Sequence, residues 1–448
     1  MKRSFLARSI RRGLAAPLLA AVLAGCATRG PDAGPPEPPP VAAACPKGTP
    51  EGARCLRGQD SAQAHYLIVM PAQWSGVLVV HAHGGPTLGE PKASRADEDI
   101  ARWAITVKLG HAWAASVFRQ GGVAAVSAAD DTERVRRIFV QHVAQPRRTL
   151  LHGQSWGGMV AARAAELYPR SWDGVLLTSG VLGGARSYDF RLDLRAVYQA
   201  LCHNHPRPDE PAYPLWVGLP ADARLTRAEL AARVDDCLGV RKRPEQRTPE
   251  QAARLKTITD VIRIPESSVL GHLNWATWHF QDIALRRTGG GSAFGNEGVR
   301  YRGSADDDGL NARVLRYRID PAARARFAAD TDPTGRIRVP VLATHGIGDA
   351  TAFVELQHAF RETMKAGGSA DRLVQTYVDS REHSYLGDTT YPPLFEALLA
   401  WVERGARPTP AGIAQRCGEL AARDGWAGGC RFVPGFEPAP LDSRVPAR

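Results

Sequence analysis

Nowhere in the 448 residues is there an apolar run of 18, so the sequence offers no helix able to span a bilayer. It has no Cys-x-x-Cys and no His-spaced zinc pattern, which leaves no signature of a structural metal site. Internal repeats are missing, which argues against a solenoid or propeller. Acidic residues are absent from the first 25 positions, where Lys2, Arg3, Arg8, Arg11 and Arg12 all occur. Taking those five cations away lowers the formal charge from +11 to +6. The other arginines are scattered among Asp and Glu and form no basic face, so a nucleic-acid partner is not expected. What remains is a chain with 44% hydrophobic and 23% charged residues, enough to bury a sizeable core.

The first residues read as an address. A basic start leads into an apolar run at 14–23 and then into Leu23-Ala24-Gly25-Cys26. That segment resembles the lipobox of bacterial lipoproteins, which implies cleavage after residue 25 and lipidation of Cys26, with acyl chains on a membrane surface. Ala27 after the cysteine suggests, by the sorting habit of that family, the outer membrane. The pair Arg11-Arg12 is followed by Gly13, a poor match to a twin-arginine signal. With Cys26 set aside, six cysteines fall as three sequence-near pairs: Cys45 with Cys55, Cys202 with Cys237, and Cys417 with Cys430. An even number in an exported chain favours disulfides; six cysteines allow fifteen pairings, and the local set closes short loops.

Residues 26–44 are proline-rich and read as an extended tether. From residue 66 short apolar runs alternate with helical stretches. Strands are expected at 66–70, 77–80, 112–118, 148–152 and 174–178, and again at 339–344 and 373–378. Helices are expected near 101–108, 123–143, 158–168, 353–364 and 392–401. This rhythm implies a mostly parallel sheet covered on both faces. It breaks between 184 and 335, a length too great for a loop, where a mainly helical cap is expected. The core then comprises 45–183 and 336–408, and 409–448 is expected to be a small disulfide-stapled extension.

Gly153-Gln154-Ser155-Trp156-Gly157 is a Gly-x-Ser-x-Gly motif lying between an expected strand and an expected helix. That context makes it a candidate nucleophile elbow, a strained turn that lifts the serine hydroxyl above the sheet edge. On these residues the chain resembles the α/β-hydrolase family over about residues 60–405. The resemblance implies a serine hydrolase whose triad follows in the order Ser, acid, His. Past the strand at 339–344 comes His345-Gly346-Ile347-Gly348-Asp349, which makes Asp349 the acid. Past the last strand comes Arg381-Glu382-His383-Ser384, which makes His383 the base. Asp379 and Asp388 compete for the acid, and His345 for the base. A serine hydroxyl needs such a base to take its proton, and the base needs an acid to hold its tautomer.

His81-Ala82-His83-Gly84-Gly85-Pro86 resembles the oxyanion segment of the same family. It implies backbone donors from Gly84 or Gly85 beside that of Trp156; Pro86 has no N–H to give. A metal reading of His81 and His83 lacks an acidic partner. Arg119, at a strand end on the active-site edge, is a candidate contact for a substrate carboxylate. The aromatic and histidine stripe at 271–279 reads more as packing than as a binding wall. These features imply an exported hydrolase of a small ester, needing no metal or organic cofactor. A second reading, supported by His83-Gly84-Gly85-Pro86 and Ser155-Trp156-Gly157, resembles proline iminopeptidases acting on short peptides. Thr87 and the stretch Arg119-Gln120-Gly121-Gly122 depart from that pattern. An aminopeptidase also needs cap carboxylates for the substrate amine, and Asp209, Glu210, Asp235, Asp236 and Asp282 are the ones available.

Overall fold

The computed structural model describes residues 35–426 and 428–448, so the expected signal peptide and Cys26 lie outside the described residues. Nine strands form one sheet: β1 (Val41–Ala43), β2 (Arg54–Gln59), β3 (His65–Met70), β4 (Val77–Ala82), β5 (Ala112–Ser116), β6 (Arg148–Gln154), β7 (Gly174–Thr178), β8 (Val341–Gly346) and β9 (Leu373–Val378). Their spatial order is β1-β2-β3-β5-β4-β6-β7-β8-β9. The first three strands and β5 pair antiparallel, and every pair from β5 and β4 through to β9 is parallel.

Parallel strands need crossover helices, and these cover both faces. Helices α1 (Arg95–Lys108), α2 (Ala125–His142) and α3 (Trp156–Leu167) join β4, β5, β6 and β7. Alternation along β4 splits the core: Val77 and Val79 pack with Trp103 of α1, while Leu78 and Val80 face Phe139 of α2 and Val160 of α3. Every residue of β4 is buried, which is why it opens with the apolar run Val77-Leu78-Val79-Val80. Trp103 is 1% exposed, and truncating such a side chain to alanine costs about 3–5 kcal/mol.

Between β7 and β8 the described chain is helical or irregular. Helices α4 (Arg186–Cys202), α5 (Arg227–Leu238), α6 (Pro249–Ile262) and α7 (Glu266–Asn274) are followed by a short α8 (Phe280–Asp282) flanked by wider turns. Helices α9 (Asp307–Arg313) and α10 (Pro321–Thr331) complete the cap. Thr226 and Thr248 close capping boxes with Glu229 and Gln251, so α5 and α6 start where their side chains satisfy the free N–H groups. A disulfide from Cys202 to Cys237 ties α4 to α5. The cap's Leu192, Leu194 and Phe280 belong to the same apolar cluster as the sheet, so the cap is bound to the core by a continuous interior. Beyond β8 come α11 (Glu355–Ala366), α12 (Tyr391–Arg404) and α13 (Pro410–Asp424). This arrangement, with the Ser155 turn between β6 and α3, is the α/β-hydrolase fold.

Two expectations need correction. The described end of the tether is not free: β1 pairs with β2, and the buried Glu37 ion-pairs with Arg137 while accepting the Ser61 N–H at 2.8 Å. A disulfide from Cys45 to Cys55 fixes this edge. Nor are residues 409–448 a separate appendix. Cys417 and Cys430 are bonded, but the following segment runs back to the cap, where the Arg448 guanidinium donates to Asp193 of α4 at 2.6 Å. Val445 is wholly buried, so this segment belongs to the main interior.

Candidate active site

The elbow is built by small residues. Ser155 has φ 56° and ψ −123°, a conformation that costs on the order of 1–3 kcal/mol for a residue with a side chain. It persists because its N–H donates to Thr178 O at 3.0 Å, while its carbonyl accepts from Gly158 and Val181, both at 2.9 Å. The glycines around it have no room for a Cβ. One on Gly157 would come within 2.0 Å of Ala82 O, and one on Gly153 within 2.4 Å of Gly157 O. These contacts press the end of β4, the elbow and the start of α3 together, with Ser155 at the C-terminal edge of the sheet.

Three of the sequence candidates meet there. The Ser155 hydroxyl lies 2.7 Å from His383 Nε2, and His383 Nδ1 lies 2.8 Å from Asp349 Oδ2. Asp349 Oδ1 accepts the backbone N–H groups of Thr351 at 2.8 Å and Ala352 at 3.1 Å, which fixes the plane of the carboxylate. Burial opposes its charge, but hydrogen bonds from His345 and His383 outweigh it and hold the carboxyl at about 2. Asp349 is therefore ionised at neutral pH. Such a carboxylate keeps the proton on His383 Nδ1 and leaves Nε2 free to accept from serine. The competing acids are elsewhere: Asp379 and Asp388 are exposed, and Asp388 pairs with Lys108 and Tyr385.

His345 does not contact Ser155. Its Nε2–H donates to Ala352 O at 2.8 Å and lies 3.3 Å from Asp349 Oδ2, and its Nδ1 accepts from Gln357 at 2.9 Å. It is wholly buried and braces the same carboxylate oxygen that His383 contacts. Its place four residues before Asp349 was the only sequence signal for this part.

The segment after β4 wraps against the elbow. A Cβ on Gly84 would fall 2.4 Å from Gln154 Oε1 and 3.2 Å from the Ser155 Cβ, so glycine lets this backbone pass close to the serine without displacing either side chain. The Gly84 carbonyl accepts from His83 Nδ1 at 2.7 Å and from Arg95 at 3.3 Å, and Arg95 pairs with the buried Asp99 at 3.1 Å. Because a trans peptide sets its N–H antiparallel to its C=O, the Gly85 N–H points away from those two donors.

The cap roofs the site through the 271–279 stretch. His272 Nε2–H donates to Ala350 O at 2.8 Å, beside Asp349, and His279 Nε2–H donates to Pro86 O at 3.0 Å, in the Gly84–Gly85 segment. Burial keeps both imidazoles neutral, with pKa values of about 3. Trp275 stacks on His279 with centroids 3.8 Å apart. Ser155 beneath is 6% exposed.

Other residues singled out by the sequence are occupied. Arg119, expected to meet a substrate, donates its backbone N–H and Nη1 to Asp131, each at 2.7 Å, and Nη2 to Asp130 at 3.3 Å. Its guanidinium is spent on α2, which corrects that assignment. His81 and His83 diverge: the first shares a 2.9 Å hydrogen bond with His152 under Trp103 and Trp113, and the second stacks on Phe118. Among the described residues no cluster of three or more His, Cys, Asp or Glu could hold a metal ion. Of the cap acids, Glu210 pairs with Arg233, and Asp235 accepts the Arg241 N–H at 2.7 Å. Asp282 accepts the Val123 N–H at 2.9 Å and pairs with Arg287, while Asp209 and Asp236 are exposed.

No family model and no curated protein matches the sequence. Among solved structures, an esterase from Aspergillus oryzae is similar at 13% identity and a TM-score of 0.45, over 83% of this chain and 86% of that one. The rice cell wall degrading esterase LipA from Xanthomonas oryzae is similar at 12% identity and a TM-score of 0.38, over 79% and 89%. Puromycin hydrolase is similar at 15% identity and a TM-score of 0.37, over 82% of this chain and 39% of that one. At such values these likenesses carry no argument about activity. The chain's own strand order and its elbow mark it as an α/β-hydrolase fold.

Proposed function

We propose that the protein is an exported serine hydrolase that cleaves a carboxylic ester through an acyl-enzyme. The observation that carries this reading is the continuous hydrogen-bonded line from Ser155 through His383 to the ionised Asp349. His383 Nε2 takes the Ser155 proton as Oγ attacks the ester carbonyl. The oxyanion is received by the N–H of Trp156, at the start of α3, and by that of Gly85. On collapse His383 passes its proton to the leaving alcohol, and a water then cleaves the acyl-enzyme by the same relay. The engagement of Glu210, Asp235 and Asp282 elsewhere in the cap favours an ester over the free amine of an aminopeptidase substrate.

Three disulfides fit a protein that works outside the reducing cytoplasm. A lipid on Cys26 would hold it at the cell-envelope membrane, and Cys26→Ser should then shift it from the membrane to the soluble fraction. Retention of that variant on membranes would defeat the anchoring reading. The activity test uses the chain from residue 27, since Glu37 and β1 belong to the folded body. It is assayed on p-nitrophenyl esters of graded acyl length and on prolyl and alanyl naphthylamides, with Ser155→Ala as the blank. Turnover of esters alone supports the reading; turnover of the aminoacyl amides alone replaces it with the peptidase.

A further inference from the structure

Arg191 lies on α4 inside the cap, 4% exposed, and no acid pairs with it among the described residues. Of its five N–H donors, one has a protein acceptor, the Ser187 carbonyl at 3.1 Å from Nη1; Nε is buried with no partner. Neighbouring arginines have more acceptors, although Nε of Arg195 also lacks a partner. Arg324 pairs with Asp189, and Arg448 pairs with Asp193. Arg195, wholly buried and also without an acid, donates to Gly218 O, Ala276 O and the Tyr213 hydroxyl. Arg191 instead faces aromatic rings, 4.5 Å from the centroid of Trp275 and 4.6 Å from that of Phe190. Ring faces attract a cation but give no acceptor in the plane of the guanidinium, so its fork stays unfilled.

The surroundings of this cation are the roof of the candidate active site. Trp275 stacks on His279, which holds Pro86 of the Gly84–Gly85 segment. Phe190 contacts Phe353 and His272, and His272 holds Ala350 beside Asp349. Arg191, Asp349 and His383 all act electrostatically on the His272 ring. The guanidinium thus lies on two rings, each of which touches a histidine that holds a segment beside Ser155. Burial lowers its pKa to about 10, which leaves it a cation at neutral pH. An unpaired buried charge is costly, and a ligand carboxylate would relieve that cost.

We propose that Arg191 is a substrate-binding residue, and that the ester cleaved at Ser155 carries a carboxylate which enters the unfilled guanidinium fork. The inference rests on the serine-hydrolase reading and narrows its substrate class to anionic esters. It runs against an aminopeptidase, whose substrate would bring a second cation to the same place.

The test separates the two claims. The protein is treated with a fluorophosphonate, and the rate of Ser155 modification is followed by intact mass with and without a competitor. The competitors are the half-methyl esters of succinate, glutarate and adipate, each beside the methyl ester of the neutral fatty acid of equal chain length. A charge-assisted hydrogen bond in a buried site corresponds to roughly 10- to 100-fold in affinity. At least one half-ester should therefore protect Ser155 at a concentration about tenfold or more below that of its neutral counterpart. In Arg191→Gln the preference should fall close to 1, and Arg191→Lys should restore part of it. Circular dichroism melts check that both variants fold; if neither does, the comparison of charged with neutral competitors on the unaltered protein decides. Equal protection by each charged and neutral pair overturns the assignment of Arg191 while leaving Ser155 as nucleophile. Failure of the fluorophosphonate to modify Ser155 overturns the serine-hydrolase reading itself.

Discussion

Replacing Asp349 by asparagine exchanges one carboxylate oxygen for an NH2 group and leaves the volume unchanged. The two backbone N–H groups of Thr351 and Ala352 point at Oδ1, so the amide of the variant keeps its carbonyl there. Its NH2 is then forced towards His383 Nδ1 and towards the His345 Nε2–H. A donor facing Nδ1 reverses the imidazole tautomer: Nδ1 becomes the acceptor and Nε2 carries the proton, 2.7 Å from the Ser155 hydroxyl. That histidine cannot receive the serine proton. In serine hydrolases with this relay the wrong tautomer costs about 10⁴ in kcat, equivalent to about 5.5 kcal/mol of transition-state stabilisation. Ester turnover by Asp349→Asn at pH 7 should fall by that order, with KM nearly unchanged. Asp379→Asn, at an exposed position, should keep wild-type kcat. A loss of less than tenfold in the first variant, or a large loss in the second, would refute the assignment of the acid.

Ser155→Ala should abolish ester turnover while shifting the melting temperature by no more than a few degrees, because the hydroxyl contributes a single internal hydrogen bond, to His383; retained activity would reject the nucleophile. The Asp349 carboxyl is held at about 2 in the folded protein against 3.8 ordinarily, so its stabilisation is fully present above pH 4 and is lost as pH falls through 2. The difference amounts to on the order of 2 kcal/mol, and urea titrations of wild type and Asp349→Asn should converge in pH dependence above pH 4 and diverge below it. Cutting the 35-residue cap loop by a Cys202→Ser, Cys237→Ser double substitution should cost roughly 4 kcal/mol by loop entropy. Proteolysis should then cleave within α4–α5 before the sheet, and an unchanged cleavage pattern would show that the cap does not depend on this bond.

The sheet was legible because its parallel strands are buried on both faces and so appear as unbroken apolar runs, as in Val77-Leu78-Val79-Val80. The edge strands were not. Arg54-Cys55-Leu56-Arg57-Gly58-Gln59 alternates too weakly to mark β2, and Val41–Ala43 reads as the end of a proline tether. Ser155 was marked by glycines at which a Cβ would have no space, and Asp349 and His383 by their places after β8 and β9. Their meeting within hydrogen-bond reach depends on the sheet register, which sets Gly346 of β8 against Val378 of β9. What joins distant segments left no local trace. The ion pairs that occupy Arg119 come from α2, and the cap's His272 and His279 reach the distant Ala350 and Pro86. Arg191 looks in the sequence like any arginine on a helix; what sets it apart is burial with no acid and a single hydrogen-bond acceptor.

The most direct test of the central claim is covalent capture of the nucleophile. The chain from residue 27 is treated with a fluorophosphonate at neutral pH, digested, and mapped by mass spectrometry. The account predicts one adduct, on the peptide holding Gly153-Gln154-Ser155-Trp156-Gly157, absent in Ser155→Ala and slowed by orders of magnitude in His383→Ala. An unmodified protein, or an adduct that persists in Ser155→Ala, would contradict it.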